Sequence, residues 1–194
     1  MDKDKVLLMV LPFWPPQIPP MGISCLKSFL QPRGFEVILV DMNMDSEFRG
    51  AFYNPYFDTI KKYVPVEKQG NLYGIGTDVL KNHLMAYINY KDENQYLELV
   101  KILISGTYYV EFTHDRVLEL DGIVREYYRQ LEDYTIGVME EHQPSVLGLS
   151  VTSGTLPSSL FAFRLARERY PRVRTVMGGG VFSDHLSPGS PNFD

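Results

Sequence analysis

The residues of this chain best suited to chemistry are small ones. Ser150-Val151-Thr152-Ser153-Gly154-Thr155 sets a run of hydroxyls beside a glycine, and Gly178-Gly179-Gly180 sets bare backbone behind the apolar run Thr175–Met177. Hydroxyls donate and accept hydrogen bonds, and glycine puts no side chain between backbone and ligand. These loops describe a cleft with polar donors over a flat floor. Nucleophilic catalysis is not written here. Ser153 falls in a strand-to-helix loop, but no G-x-S-x-G surrounds it and no histidine is spaced to serve it. His83, His114 and His142 lie in a helical stretch on faces read as polar and are expected to be solvated. His185 is read as an exposed loop residue. Asp41 closes a strand, where its carboxylate accepts either from a ligand hydroxyl or from the amides of the next loop. Glu140-Glu141 and Asp92-Glu93 read as helix surface.

These loops need strands and helices to hold them. Lys5–Leu11 is a continuous apolar run, expected as a strand buried on both faces. Pro12-Phe13-Trp14-Pro15-Pro16 and Pro19-Pro20 forbid helix and force an extended loop. Gly22–Leu30 then reads as a helix with Ile23, Leu26, Phe29 and Leu30 on its core face, and Phe35–Val40 as a second buried strand. Ser145–Val151 is the third strand, Ser158–Tyr170 a helix stopped by Pro171, and Thr175–Met177 the fourth strand. Strands alternating with helices predict an α/β fold, a flavodoxin-like (Rossmann-like) doubly wound parallel sheet. In such sheets ligands bind beyond the carboxyl ends of the strands. Here those ends are the proline-aromatic loop with Phe13 and Trp14, Asp41, the segment Ser150 to Gly154, and the glycines 178–180.

Residues 1–44 and 144–186 form this domain, and residues 45–143 interrupt it. The interruption is rich in tyrosine and reads as a helical insertion. Its expected helices run from Thr77-Asp78 to about Tyr90, from Gln95 to Ser105 and from His114 to His142, with Gly74-Ile75-Gly76 read as a turn. Residues 187–194 are loop chemistry and are expected to be the cut end of a longer polypeptide.

Bulk properties exclude several classes. The chain has 194 residues, 44% apolar and 22% charged, with a net charge of −5 and one cysteine. The acidic balance argues against a nucleic-acid partner. Cys25 alone cannot build a disulfide framework or a thiolate-held metal site, which fits a reducing, cytoplasmic setting. The N-terminal apolar run is too short to span a membrane. Neither G-x-G-x-x-G after the first strand nor G-x-x-x-x-G-K-[ST] is present.

The ordered series P-x-x-x-P-P-M-G-I, G-F-E-V-x-x-x-D-x-N, L-G-L-S-V-T and M-G-G-G resembles the N-terminal cobalamin (vitamin B12)-binding domain of B12-dependent radical SAM enzymes. The resemblance covers residues 5–44 and 144–186. It implies that Ser150 and Thr152 lie along the buried nucleotide tail of cobalamin. It implies too that Gly178 and Gly179, with Gly180, leave room for the dimethylbenzimidazole and its ribose. The D-x-H-x-x-G motif, whose histidine replaces the lower cobalt ligand, is Pro12-Phe13-Trp14-Pro15-Pro16-Gln17 here, so no protein ligand to cobalt is expected. By the same resemblance an apolar lower face would come from Phe13, Trp14 or the Ser153-Gly154-Thr155 loop. The C-x-x-x-C-x-x-C that holds a 4Fe-4S iron–sulfur cluster and binds S-adenosylmethionine is not in this sequence. The chain alone is therefore expected to be non-catalytic. By resemblance its partners are cobalamin, the C-terminal radical SAM domain of the same polypeptide, and a peptide or natural-product substrate for a methyltransferase or related radical reaction. Two other readings stand beside this one. The domain has lost cobalamin and its helical insertion docks a substrate peptide or partner, or the chain is a stand-alone α/β enzyme with a small phosphorylated or nucleotide ligand.

Overall fold

The computed structural model describes residues 4–13, 18–44 and 46–182, without the side chains of residues 46–49. Four strands form one all-parallel sheet in the order β2-β1-β3-β4: β1 Lys5–Val10, β2 Glu36–Asp41, β3 Val146–Ser150 and β4 Arg174–Gly178. This is the expected flavodoxin-like α/β arrangement. The order reverses between β1 and β3, because β2 adds on one side of β1 and β3 on the other. Right-handed crossovers then send the connecting helices to opposite faces. Helix α1 (Met21–Leu30) packs on β1 and β2, whereas α7 (Leu156–Arg169) packs on β3 and β4.

Register decides which side chains share a face. Val37, Val6, Val146 and Arg174 form one row across the sheet, Leu39, Leu8, Gly148 and Val176 the next, and Asp41, Val10, Ser150 and Gly178 the last. These rows face α1, where Val6, Leu8, Val10, Ile23 and Val37 make a buried cluster. The intervening residues Leu7, Met9, Leu147 and Leu149 are buried on the other face. The apolar pattern predicts β2 as a buried strand and gives α1 four core positions. In the structure β2 is an edge strand with only Val37 buried, and α1 buries only Ile23. Leu26 is 49% exposed and Phe29 54%. Among the described residues no helix covers the neighbouring half of the sheet on that face, so Leu26 stays half in water, while Phe29 has the Arg33 guanidinium 3.5 Å above its ring.

The chain divides into two compact units, residues 1–45 with 131–194 and residues 46–130. The second boundary falls inside α6 (His114–His142), the long helix expected from its apolar period. The helical unit also contains α2 (Ser46–Tyr63), the short α3 (Val66–Gln69), α4 (Leu72–Asn89) and α5 (Glu93–Tyr108). Asp92 caps α5 by accepting from the Gln95 amide at 2.8 Å. Asn71 does the same for α4 through the Gly74 amide at 3.1 Å, so that helix starts before the expected Thr77-Asp78. Gly74-Ile75-Gly76 therefore lies within a helix and not in a turn. Gly76 is required there because a Cβ would run into the Phe57 ring.

His83 also departs from expectation. It is fully buried. Its Nδ1 lies 3.0 Å from the Tyr56 hydroxyl and its Nε2 2.7 Å from that of Tyr96. The single Tyr96 hydroxyl proton goes to Asp121 Oδ1 at 2.7 Å, so Nε2 must be the donor to Tyr96 and Nδ1 must accept from Tyr56. The direction of each bond follows from that count of protons. Arg125 closes the chain by donating from Nε to Asp121 Oδ2 at 2.6 Å. Burial lowers the His83 pKa to about 3, against the pull of Asp121, which keeps the ring neutral.

Candidate functional site

Between α1 and the half of the sheet that no described helix covers runs a groove of about 490 Å³, within the range of about 300–1,000 Å³ usual for small-molecule sites. Leu8, Gly148 and Val176 form its floor, Ile23, Leu26 and Leu30 its wall, and Ser150, Gly178 and Gly179 its upper end. That end is the carboxyl edge of the sheet, and β1 and β3, which flank the reversal of strand order, both run to it. Open α/β sheets bind ligands at such an edge. Gly22, in the first turn of α1, faces the Ser150 hydroxyl: a Cβ on Gly22 would stand 3.7 Å from Ser150 Oγ. Among the described residues none is hydrogen-bonded to that hydroxyl.

The glycines of the last strand do different things. Gly179 has φ +137°, and a Cβ on it would strike the Val151 carbonyl oxygen. This tight turn accompanies the 2.7 Å bond from the Val151 amide to the Gly178 carbonyl. Gly179 is therefore demanded by the fold itself. Gly178 has ordinary φ, and a Cβ placed on it would meet nothing within 4 Å; the same holds for Gly180 in the short 3-10 turn Gly180–Phe182. Space, not backbone geometry, is what Gly178 contributes to the groove.

The loop after β3 is largely satisfied from within. The Thr152 amide donates to Thr155 Oγ1 at 2.9 Å, and the Thr155 amide to the Thr152 carbonyl at 3.2 Å. Thr155 is buried, Thr152 half-buried and Ser153 exposed. Gly154 meets the first loop directly. Its carbonyl accepts from the Phe13 amide at 3.3 Å, and a Cβ on it would lie 2.7 Å from the Phe13 carbonyl oxygen. Phe13 is half-buried at this contact. Trp14 and His185 lie outside the described residues.

Asp41 occupies the same row as Ser150 and Gly178 but lies two strands from the first and three from the second, on the far side of Val10. Its Oδ1 accepts from the Asn43 backbone at 3.0 Å and from Asn43 Nδ2 at 2.9 Å. Asn43 Nδ2 also reaches the Leu11 carbonyl at 3.2 Å. Of the two roles open to Asp41, holding the next loop is the one these bonds display. Ser150, Gly178 and Gly179 thus line one groove, Gly154 and Phe13 form the loop contact beyond it with Thr152 held by Thr155, Ser153 is exposed, and Asp41 stands apart. Sequence reasoning missed Gly22, Leu26, Gly148 and Val176 as groove residues. No motif marks them, since only the register and the uncovered face bring them together.

Among the described residues no group of three or more His, Cys, Asp or Glu could hold a metal ion, and no helix is long and apolar enough to cross a membrane. Comparisons with family models, curated proteins and solved structures return no match for the chain.

Proposed function

We propose that the sheet unit is the cobalamin-binding module of a larger B12-dependent radical SAM enzyme acting by methyl transfer or related radical chemistry. The observation that supports this most directly is the meeting of Ser150, Gly178 and Gly179 at the upper end of one apolar groove. A planar base with a ribose attached needs flat apolar walls, backbone without side chains and a hydroxyl for the sugar. Leu8, Val176 and Leu26 supply the first, Gly178 the second and Ser150 the third. The open space at Gly178 is the feature that fits the group, because a backbone requirement does not explain a glycine there. When bound, cobalamin supplies a cobalt centre for methyl transfer. This chain's residues hold the nucleotide end and keep water from it. The Phe13 loop, tied to Gly154, offers no ligating side chain at its described positions. S-adenosylmethionine, the iron–sulfur cluster and the substrate belong to the radical SAM part of the polypeptide, and the cytoplasm is the compartment such chemistry requires.

Anaerobic titration with hydroxocobalamin, followed by absorption spectroscopy and by cobalt retained on gel filtration, tests the reading. The chain is expected to retain cobalamin, and Gly178→Leu to lose it while keeping its circular dichroism spectrum. No retained cobalt in the unaltered chain refutes the proposal. A C-x-x-x-C-x-x-C elsewhere in the same polypeptide is the separate expectation for the radical SAM part.

A further inference from the structure

Polar groups are distributed unevenly along the groove. Among the described residues that line it, only Ser150 and Arg174 have polar side chains; the rest are apolar or glycine. Arg174 pairs with Val146, four residues before Ser150, so about 13 Å separate the two polar ends along the strands. Arg174 is engaged at the lower end, its Nη2 3.6 Å from Asp4 Oδ2. Ser150 stands at the upper end, where a ribose needs a hydroxyl. Between these ends no described side chain can donate or accept a hydrogen bond.

Backbone does not make up the difference. β1 and β3 are interior strands, each paired on both sides, so their amides and carbonyls are taken up within the sheet. The Leu8 side chain fills the place above Gly148, where a Cβ would stand 2.6 Å from Leu8 Cδ2. The middle of the groove is therefore made of methyl groups: Leu8 and Val176 on the floor and Leu26 on the wall. Leu26 and Val176 are each about half exposed, so both are open to whatever enters.

We propose that this groove selects among corrinoids by the base at the end of the nucleotide tail: it takes a benzimidazole and rejects a purine, with Leu26 and Val176 as the specificity-determining residues. That selection rests on the cobalamin reading of the site. Dimethylbenzimidazole joined to its ribose and freed from cobalt has one bare ring nitrogen; the rest of its edge is apolar. Adenine adds an exocyclic amine and further ring nitrogens. In water these are hydrogen-bonded. In the middle of the groove they have no partner, and burying a polar group without one is costly. An apolar pocket rejects an analogue that merely gains a polar group by about 100-fold. The same lining disfavours a purine nucleotide as a ligand of its own.

The test titrates the chain anaerobically with hydroxocobalamin and with the hydroxocorrinoid that carries adenine in place of dimethylbenzimidazole, each followed by absorption spectroscopy. Freeing either base from cobalt has its own cost. That cost belongs to the corrinoid, so it cancels when the ratio of the two dissociation constants is compared between proteins. Val176→Thr keeps the shape of the side chain and adds a hydroxyl, and Leu26→Asn nearly does so with an amide. Both positions are about half exposed, so both variants should fold with an unaltered circular dichroism spectrum. Each should move the ratio about 10-fold towards the adenine form, the worth of one hydrogen bond. A ratio unmoved by both substitutions overturns the proposal, while cobalt retained by the unaltered chain leaves the cobalamin reading standing. A chain that retains neither corrinoid refutes both.

Discussion

Lowering the pH should destabilise the helical unit through one residue, His83. In the folded chain its pKa is lowered from 6.5 to about 3 by burial. The unfolded chain takes up a proton below about pH 6.5, while the folded chain stays neutral until about pH 3. Between these values the unfolded state binds more protons, so stability rises with pH and is lost as pH falls through the window. Each pH unit is worth about 1.4 kcal/mol. At pH 4.5, two units below the unfolded value, the loss is about 3 kcal/mol, a large share of the roughly 5–15 kcal/mol that holds a domain folded. The control is His83→Gln, whose amide also donates and accepts but does not titrate. At pH 7 the variant should be the less stable, having lost the ring that joins Tyr56 to Tyr96. The gap should close by about 3 kcal/mol between pH 7 and pH 4.5, because only the unaltered chain carries the histidine penalty. Urea unfolding followed by tyrosine near-ultraviolet circular dichroism reports on the helical unit, since every tyrosine except Tyr134 and Tyr170 lies within it. Parallel stability profiles for the two proteins would refute the argument, for they would mean that His83 titrates alike folded and unfolded.

Further expectations concern the sheet edge and the helical core. Gly179→Ala should cost roughly 1–3 kcal/mol or more, from positive φ and the Val151 carbonyl, whereas Gly178→Ala should stay within about 0.5 kcal/mol; thermal unfolding compares them. Asp41→Ala should cost about 1–2 kcal/mol by releasing the Asn43 amides without altering cobalt retention, checked by urea unfolding and by gel filtration with hydroxocobalamin. Gly76→Ala should destabilise the helical unit by about 1–3 kcal/mol, since the added methyl overpacks Phe57 and Tyr108; tyrosine circular dichroism during unfolding measures it.

Much of the fold was legible because its signals are local. Continuous apolar runs marked β1 and β3, Pro171 marked the end of α7, whose last residue is Arg169, and the period of Tyr127 and Leu131 announced α6. Errors arose where a residue's environment comes from elsewhere in the chain. Leu26 and Phe29 sit at proper core spacing on α1, but Leu26 lines the groove beside the half of the sheet that no described helix covers, and Phe29 lies half in water under Arg33. His83 reads as polar, yet Tyr56, Tyr96 and Asp121, from three other helices, close around it. Gly74-Ile75-Gly76 looks like a turn because glycine is a poor helix former, but close packing against Phe57 needs its absent side chain.

By itself the sequence determined the alternation of strands and helices, the glycines and hydroxyls at strand ends, and the lack of a cluster of thiolates. Those follow from composition and spacing along a few residues. Tertiary structure alone decided that Ser150 and Gly178 are register partners while Asp41 is held two strands from Ser150. It alone separated Gly179, needed for the chain's own turn, from Gly178, which opens onto the groove. The physical reason is that strand order and register bring together residues far apart in the chain, and no local pattern encodes which strand will lie beside which.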